Sequence, residues 1–96
     1  MTDAEQEELA AQIEAELAKL KVSDVLLHTV SAVASLAYRR LADEQRDLEQ
    51  VRLAVEALKA IVPLLDGAVP DDVAGDFRQV IANLQLAYAG AATDAR

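Results

Sequence analysis

Six apolar residues in the middle of the chain recur at a spacing that a helix places on one face. They are Leu48, Val51, Val55, Leu58, Val62 and Leu65, separated by three, four, three, four and three positions. With about 3.6 residues per helical turn, this spacing forms the a and d positions of a seam between packed helices. The seam predicts a helix over residues 47–65 that packs against other helices.

The scarcity of turn-forming residues extends the helical prediction to the whole chain. Three glycines and two prolines occur among 96 residues, whereas an all-β domain needs a turn signal every 8 to 12 residues or so. Apolar residues make up 53% of the chain and aromatic residues only 3%, so Ala, Leu and Val must build the core. We therefore expect an all-α fold: a small antiparallel bundle of three to four helices, in one domain over residues 1–96, completed by dimerisation.

The first predicted helix covers residues 3–20, within an acidic N-terminal segment 1–21. Thr2 and Glu5 have capping-box spacing, in which each side chain satisfies a free backbone amide of the first turn. Its apolar residues form only a narrow stripe of Leu9, Ile13, Leu17 and Leu20. A helix with such a stripe docks by one edge.

The second predicted helix covers residues 24–42, with Ser23 as its N-cap. Its apolar residues spread over more than half of its circumference, whereas a surface helix shows an apolar stripe of about 100° or a little more. A chain this short has few other helices with which to cover so wide an arc. We therefore predict a homodimer, with a self-association face formed by Leu26, Val30, Val33, Ala37 and Leu41.

The remaining segments complete a helical core over residues 22–91. Pro63 is expected to kink or end the third helix early, because proline removes a backbone donor and clashes with the preceding turn. Gly67 closes that helix, and Pro70 begins a fourth one over residues 71–90. Leu58 and Leu84 are predicted core residues. The tail, residues 92–96, is expected to fray.

The acidic balance of the chain disfavours two classes of partner. Nine Lys and Arg stand against seventeen Asp and Glu, for a formal net charge of −8. A body of this charge repels phosphates and anionic lipid headgroups, so we expect neither nucleic-acid nor membrane binding. The chain has no cysteine, and its first twenty residues are acidic and polar where a signal peptide would be basic and then apolar. A cytoplasmic location is therefore predicted.

Few residues offer catalytic or metal-binding chemistry. His28 is the only histidine and follows Asp24 by one helical turn, a pair that would orient a general base. Ser31 lies three residues further on, but no glycine-rich oxyanion loop accompanies it. The Glu-x-x-His pattern of di-iron bundles is absent. A solvated or interfacial histidine is the favoured interpretation, and no catalytic residue, metal or cofactor is predicted.

The second half of the chain resembles a known bacterial family. An apolar helix is followed by Asp47-Leu48-Glu49, then by Val55, Glu56 and Leu58, then by a Gly67-x-Val69 turn before an acidic helix start, and then by Leu84-x-Leu86-x-Tyr88. Over about residues 25–88 this order is similar to the family catalogued as domain of unknown function 1844. The resemblance implies a small, acidic, cytoplasmic helical protein, and it implies no activity.

Three functional hypotheses follow. The first is a non-enzymatic helical module for self-association or protein–protein interaction, motivated by the wide apolar surface of the second helix. The second is an acidic adaptor or inhibitor that covers a basic surface of a partner protein, with the first helix supplying the charge. The third is a small enzyme that uses Asp24 and His28. The first is the preferred prediction.

Overall fold

A computed structural model describes residues 2–94, without the side chain of Asp43. Within this part of the chain there are four α-helices and no β-strand, which confirms the all-α prediction. The helices are α1 (Asp3–Lys19), α2 (Val22–Leu41), α3 (Leu48–Ile61) and α4 (Asp71–Asp94), with 3₁₀ helices at Asp43–Gln45 and Val62–Leu65.

Side chains at the N-termini of α1 and α3 cap the first turns of these helices. Both bonds of the predicted capping box at α1 form: the Glu5 amide donates to Thr2 Oγ1, and the Thr2 amide to Glu5 Oε2, each at 3.2 Å. At α3, the Gln50 amide donates to Asp47 Oδ1 at 3.3 Å. These carboxylates and the hydroxyl satisfy amides that have no partner within the helix.

The predicted start of α2 is wrong by two residues. The helix begins at Val22, with Lys21 rather than Ser23 as its N-cap. Asp24 stabilises this earlier start, because its Oδ2 accepts a hydrogen bond from the Lys21 amide at 3.2 Å. A carboxylate in the first turn also interacts favourably with the positive end of the helix dipole.

Helices α2, α3 and α4 pack against one another around one apolar core. Five members of the predicted seam are buried, and the first, Leu48, is half-buried. Leu58 and Leu84 are both core residues, as predicted, with 1% and 0% of their surfaces exposed. Among the described residues no polar or charged side chain is buried. Burial of Leu, Val and Ala therefore holds these three helices together.

Helix α1 does not join this core. None of its residues is buried, and no other element packs against it in the part of the chain that the structure describes. Its axis makes an angle of 87° with that of α2, across the two extended residues Leu20 and Lys21. The molecule is consequently 62 Å long, with a radius of gyration of 18.3 Å. A compact chain of this length has a radius of gyration of about 12–13 Å.

The turn between α3 and α4 contains the two expected helix breakers. The α-helix ends at Ile61 and continues as a 3₁₀ turn that contains Pro63, as its ring predicts. Gly67 follows with φ of +80°, a conformation that L-residues rarely adopt. The amides of Ala68 and Val69 both donate to the Leu65 carbonyl, at 2.9 and 3.1 Å. The chain is thereby reversed so that α4 returns along α3.

The fourth helix is longer than predicted. It continues through Asp94 rather than ending near residue 90, so residues 92–94 of the predicted tail are helical. Ala91 is buried with 7% exposed, and Thr93 Oγ1 donates to the Ala89 carbonyl at 2.9 Å. Residues 95 and 96 of the predicted tail lie outside the described residues.

Candidate functional site

The predicted self-association face of α2 lies mostly against the core of its own chain. Val30 and Ala37 are buried, with 0% and 1% of their surfaces exposed. Leu26, Val33 and Leu41 are half-buried and pack against the same core. Helices α3 and α4 therefore cover more of α2 than the sequence suggested, and the surface available to a partner lies to one side of this face.

That surface is an open groove between α2 and α3. Each helix contributes four residues at positions i, i+3, i+4 and i+7: Val33, Leu36, Ala37 and Arg40 from α2, and Gln50, Leu53, Ala54 and Ala57 from α3. We call these eight residues the α2–α3 groove. Its volume is about 470 Å³. The spacing shows that the groove follows the two helix axes for two turns.

Two leucines make the groove a candidate contact surface. Leu36 and Leu53 have 54% and 58% of their surfaces exposed, whereas Ala37 and Ala54 beside them are buried. The alanines are short enough to leave a depression between the helices, and the leucines form its apolar walls. Arg40 and Gln50 are its only polar lining residues. An open apolar groove that follows two helix axes has the shape in which an amphipathic helix docks.

A second apolar surface lies on α1. The predicted stripe is present, and its residues are exposed: Leu9 46%, Ile13 52%, Leu17 60% and Leu20 53%. We call these four residues the α1 stripe. Gln12 and Glu16 border a shallow depression along it. Because no part of the described chain covers the stripe, both faces of α1 are exposed.

The charges of the two surfaces have opposite signs. Helix α1 contains six acidic residues and one basic residue, Lys19. Lys19 pairs with Glu16 at 3.5 Å, with both side chains about three-quarters exposed. The groove carries one charged residue, the half-buried Arg40, which forms no ion pair with any other residue in the described range 2–94. The acidic helix and the basic end of the groove are therefore electrostatically complementary.

The candidate catalytic pair lies on an open surface. Asp24 and His28 are both exposed, and the Asp24 carboxylate is bonded to the Lys21 amide. No group of three His, Asp or Glu side chains within residues 2–94 is arranged to hold a metal ion. Ser31 donates to the Leu27 carbonyl at 2.9 Å, which directs its hydroxyl to the backbone. The geometry brings no base to this hydroxyl.

Neither comparison with known proteins nor the length of the helices further constrains the function. Comparison with family models, with curated proteins and with solved structures finds no match to this chain. Among the described helices, none alone has the length and apolar character to cross a membrane. Only α1 and α2 taken together meet both criteria, and they are bent by 87° at their junction.

The sequence pattern does not distinguish the two leucines that line the groove. Leu53 is an apolar residue beside the seam of α3, a position that predicts contact with a neighbouring helix of the same chain, but 58% of its surface is exposed. The available signal was the apolar row of Leu53, Ala54 and Ala57 beside the seam. This row contains only one large side chain, that of Leu53. Leu36 belonged to the wide apolar arc of α2, in which no residue was distinguishable from its neighbours.

Proposed function

We propose that this protein is a non-enzymatic helical module that self-associates as a homodimer through the α2–α3 groove. The observation that carries the proposal is the exposure of Leu36 and Leu53 on the walls of an apolar groove with an alanine floor. An exposed apolar groove between two helices is a surface in which an amphipathic helix of a partner docks. The predicted face of α2 is retained in part, because Val33 and Ala37 also line the groove.

Self-association is favoured because a twofold axis buries the same groove residues in each copy, and no surface of a different protein is required. The small residues Ala37, Ala54 and Ala57 permit close approach of a helix from the partner. The opposing factor is charge, since two chains of −8 repel each other at low ionic strength.

A matched pair of substitutions tests the proposal. Leu53→Asp places a charge on the groove wall, and Leu86→Asp places the same charge at an outward position of α4 that is 75% exposed. Sedimentation velocity is run at about 5–100 µM, where a dimer with a micromolar dissociation constant is populated. It is expected to show dimers for the wild type and Leu86→Asp but monomers for Leu53→Asp. Circular dichroism verifies that both variants remain helical. A monomeric wild type over this range contradicts the proposal.

A second candidate function is the acidic adaptor that covers a basic surface of another protein. The observation that favours it is the unpacked α1, with six acidic residues against one basic residue. Its binding to a basic protein should weaken steeply with salt, because it depends on exposed charges. Dimerisation through the apolar groove should instead strengthen with salt, because salt screens the repulsion between the two chains.

The family resemblance and the cytoplasmic location stay predictions.

A further inference from the structure

The α1 stripe and the α2–α3 groove are two uncovered apolar surfaces on the same chain. Resting on the proposed self-association, we propose that α1 of each copy docks in the α2–α3 groove of the other, so that two copies exchange their N-terminal helices. The occupant of the groove is therefore a second copy of this chain, and its contact segment is the α1 stripe. This goes beyond a groove-to-groove dimer by naming the segment that fills each groove.

The dimensions of the two surfaces agree. On α2 the groove extends from Val33 to Arg40, seven residues, which is about 10 Å of helix. In the α1 stripe, Ile13 and the C-cap residue Leu20 are also seven residues apart, with Leu17 between them. Anchors at i, i+4 and i+7 are the pattern by which an amphipathic helix occupies an apolar groove. Three anchors of the stripe therefore fit the two turns that the groove offers.

The same chain cannot place its stripe in its own groove. If α1 folded back along α2 at Leu20 and Lys21, residues equally distant from the junction would face each other, because both helices rise about 1.5 Å per residue. Val33 would then face a residue near Glu8, and the rest of the groove would face the segment before it. That segment contains no large apolar residue between Thr2 and Glu8, and it carries Asp3, Glu5, Glu7 and Glu8. An intrachain hairpin would thus bury carboxylates in the groove.

Charge favours the same arrangement between copies. Glu16 borders the α1 stripe, and Arg40 lies at the end of the groove. The docked segment from Ile13 to Leu20 carries Glu14, Glu16 and Lys19, so docking brings a net charge of −1 to the one charged residue of the groove. Opposite charges at the edge of an apolar contact favour the correct orientation and disfavour alternatives with like charges together. The exchange also reduces the repulsion expected between two chains of −8.

The test uses substitutions on opposite faces of α1. Ile13→Asp combined with Leu17→Asp removes two anchors, whereas Ala11→Asp combined with Ala15→Asp places the same two charges about 160° from Ile13 and Leu17 around the helix. Because none of these residues is buried, the folded core should be unaffected. In sedimentation velocity, the double variant at Ile13 and Leu17 is expected to dimerise more than tenfold more weakly than the wild type, and the double variant at Ala11 and Ala15 within about threefold of it. A double variant at Ile13 and Leu17 that dimerises like the wild type overturns helix exchange, even where Leu53→Asp still yields monomers and the groove proposal stands.

Disulfide trapping identifies which surfaces meet. The chain has no cysteine, so a single introduced thiol has no competitor. Leu17→Cys protein is mixed with an equal amount of Leu36→Cys protein carrying a mass tag, and both are oxidised. Random pairing of equal amounts would give half of all disulfides as the mixed one, so helix exchange predicts that the mixed disulfide exceeds the sum of the two disulfides between identical chains. Predominance of the Leu17 pair would indicate a coiled coil of two α1 helices, predominance of the Leu36 pair would indicate groove-to-groove contact, and either result overturns the exchange.

Discussion

Arg78 of α4 donates through its Nη2 to both carboxylate oxygens of Asp66, twelve residues earlier, in the turn after α3. Both side chains are about half exposed, at 52% and 51%. The pair spans the turn that contains Gly67 and connects α4 to the end of the preceding 3₁₀ helix. Its two members come from different segments of the fold, whereas the pairs Lys19–Glu16 and Lys59–Glu56 each lie within one helix.

This pair is expected to contribute little to stability. Arg78→Ala should lower the free energy of unfolding by less than about 1 kcal/mol, because water screens a half-exposed ion pair. Urea denaturation of this variant provides the measurement. Lys59→Ala is the comparison, because Lys59 pairs at 3.6 Å with Glu56, only three residues away in the same helix. A loss above about 2 kcal/mol for Arg78→Ala would show that the pair holds the turn against α4.

The seam of α3 should instead dominate stability. Leu58→Ala is expected to cost about 2–5 kcal/mol, because it leaves a cavity at a position with 1% of its surface exposed. Leu64→Ala is the matched control, the same change at a position that is 66% exposed, and should cost less than about 1 kcal/mol. Equal midpoints of urea denaturation for the two variants would contradict the observed core.

Two glycines should respond to alanine with opposite signs. Gly67 has φ of +80°, so Gly67→Ala should destabilise by about 1–2 kcal/mol, although an added Cβ meets no atom within 4 Å. Gly75 lies in the second turn of α4 with equal space around it. Gly75→Ala should therefore stabilise by about 0.5–1 kcal/mol, since alanine has the higher helix propensity. Thermal unfolding midpoints that shift in the same direction would refute this account of the turn.

The core of the fold was predictable because its signal is local and periodic. The three-and-four spacing from Leu48 to Leu65 admits only one buried face, and the structure buries that face. Helix α2 lacks such a signal, since its apolar residues occupy more than half of the circumference. Its sequence is therefore compatible with several orientations, and the contacts with α3 and α4 decide that Val30 is buried and Leu36 is exposed.

The groove and the unpacked helix depend on information that a single stretch of sequence does not contain. The α1 stripe shows that one face of α1 is apolar, but not whether that face meets its own chain or another. Leu53 was expected to pack within the chain because it lies beside the seam. The groove exists because Ala37 and Ala54, seventeen positions apart in sequence, both lie at the α2–α3 contact. Such a coincidence of two small residues becomes visible only once the helices are packed.

Charge reversals on α1 and in the groove should change the affinity of the dimer, and the size of the change should depend on the salt concentration. Arg40→Glu places a carboxylate at the end of the groove, where the proposed exchange brings the acidic α1 of the partner. Repulsion should weaken the dimer about tenfold at low ionic strength and less than about threefold in 1 M salt, where the Debye length falls to about 3 Å. Glu16 borders the α1 stripe, and if it is the carboxylate that meets Arg40, Glu16→Arg alone should also weaken the dimer, because two like charges then lie together. The combination of both substitutions should restore most of the affinity, because opposite charges then face each other again with the positions reversed.

Sedimentation equilibrium of the four proteins gives the coupling between the two residues. It is run at 50 mM and 1 M sodium chloride, at which the Debye lengths are roughly 14 and 3 Å. Strictly additive effects of the two substitutions would show that Glu16 and Arg40 do not meet in the dimer.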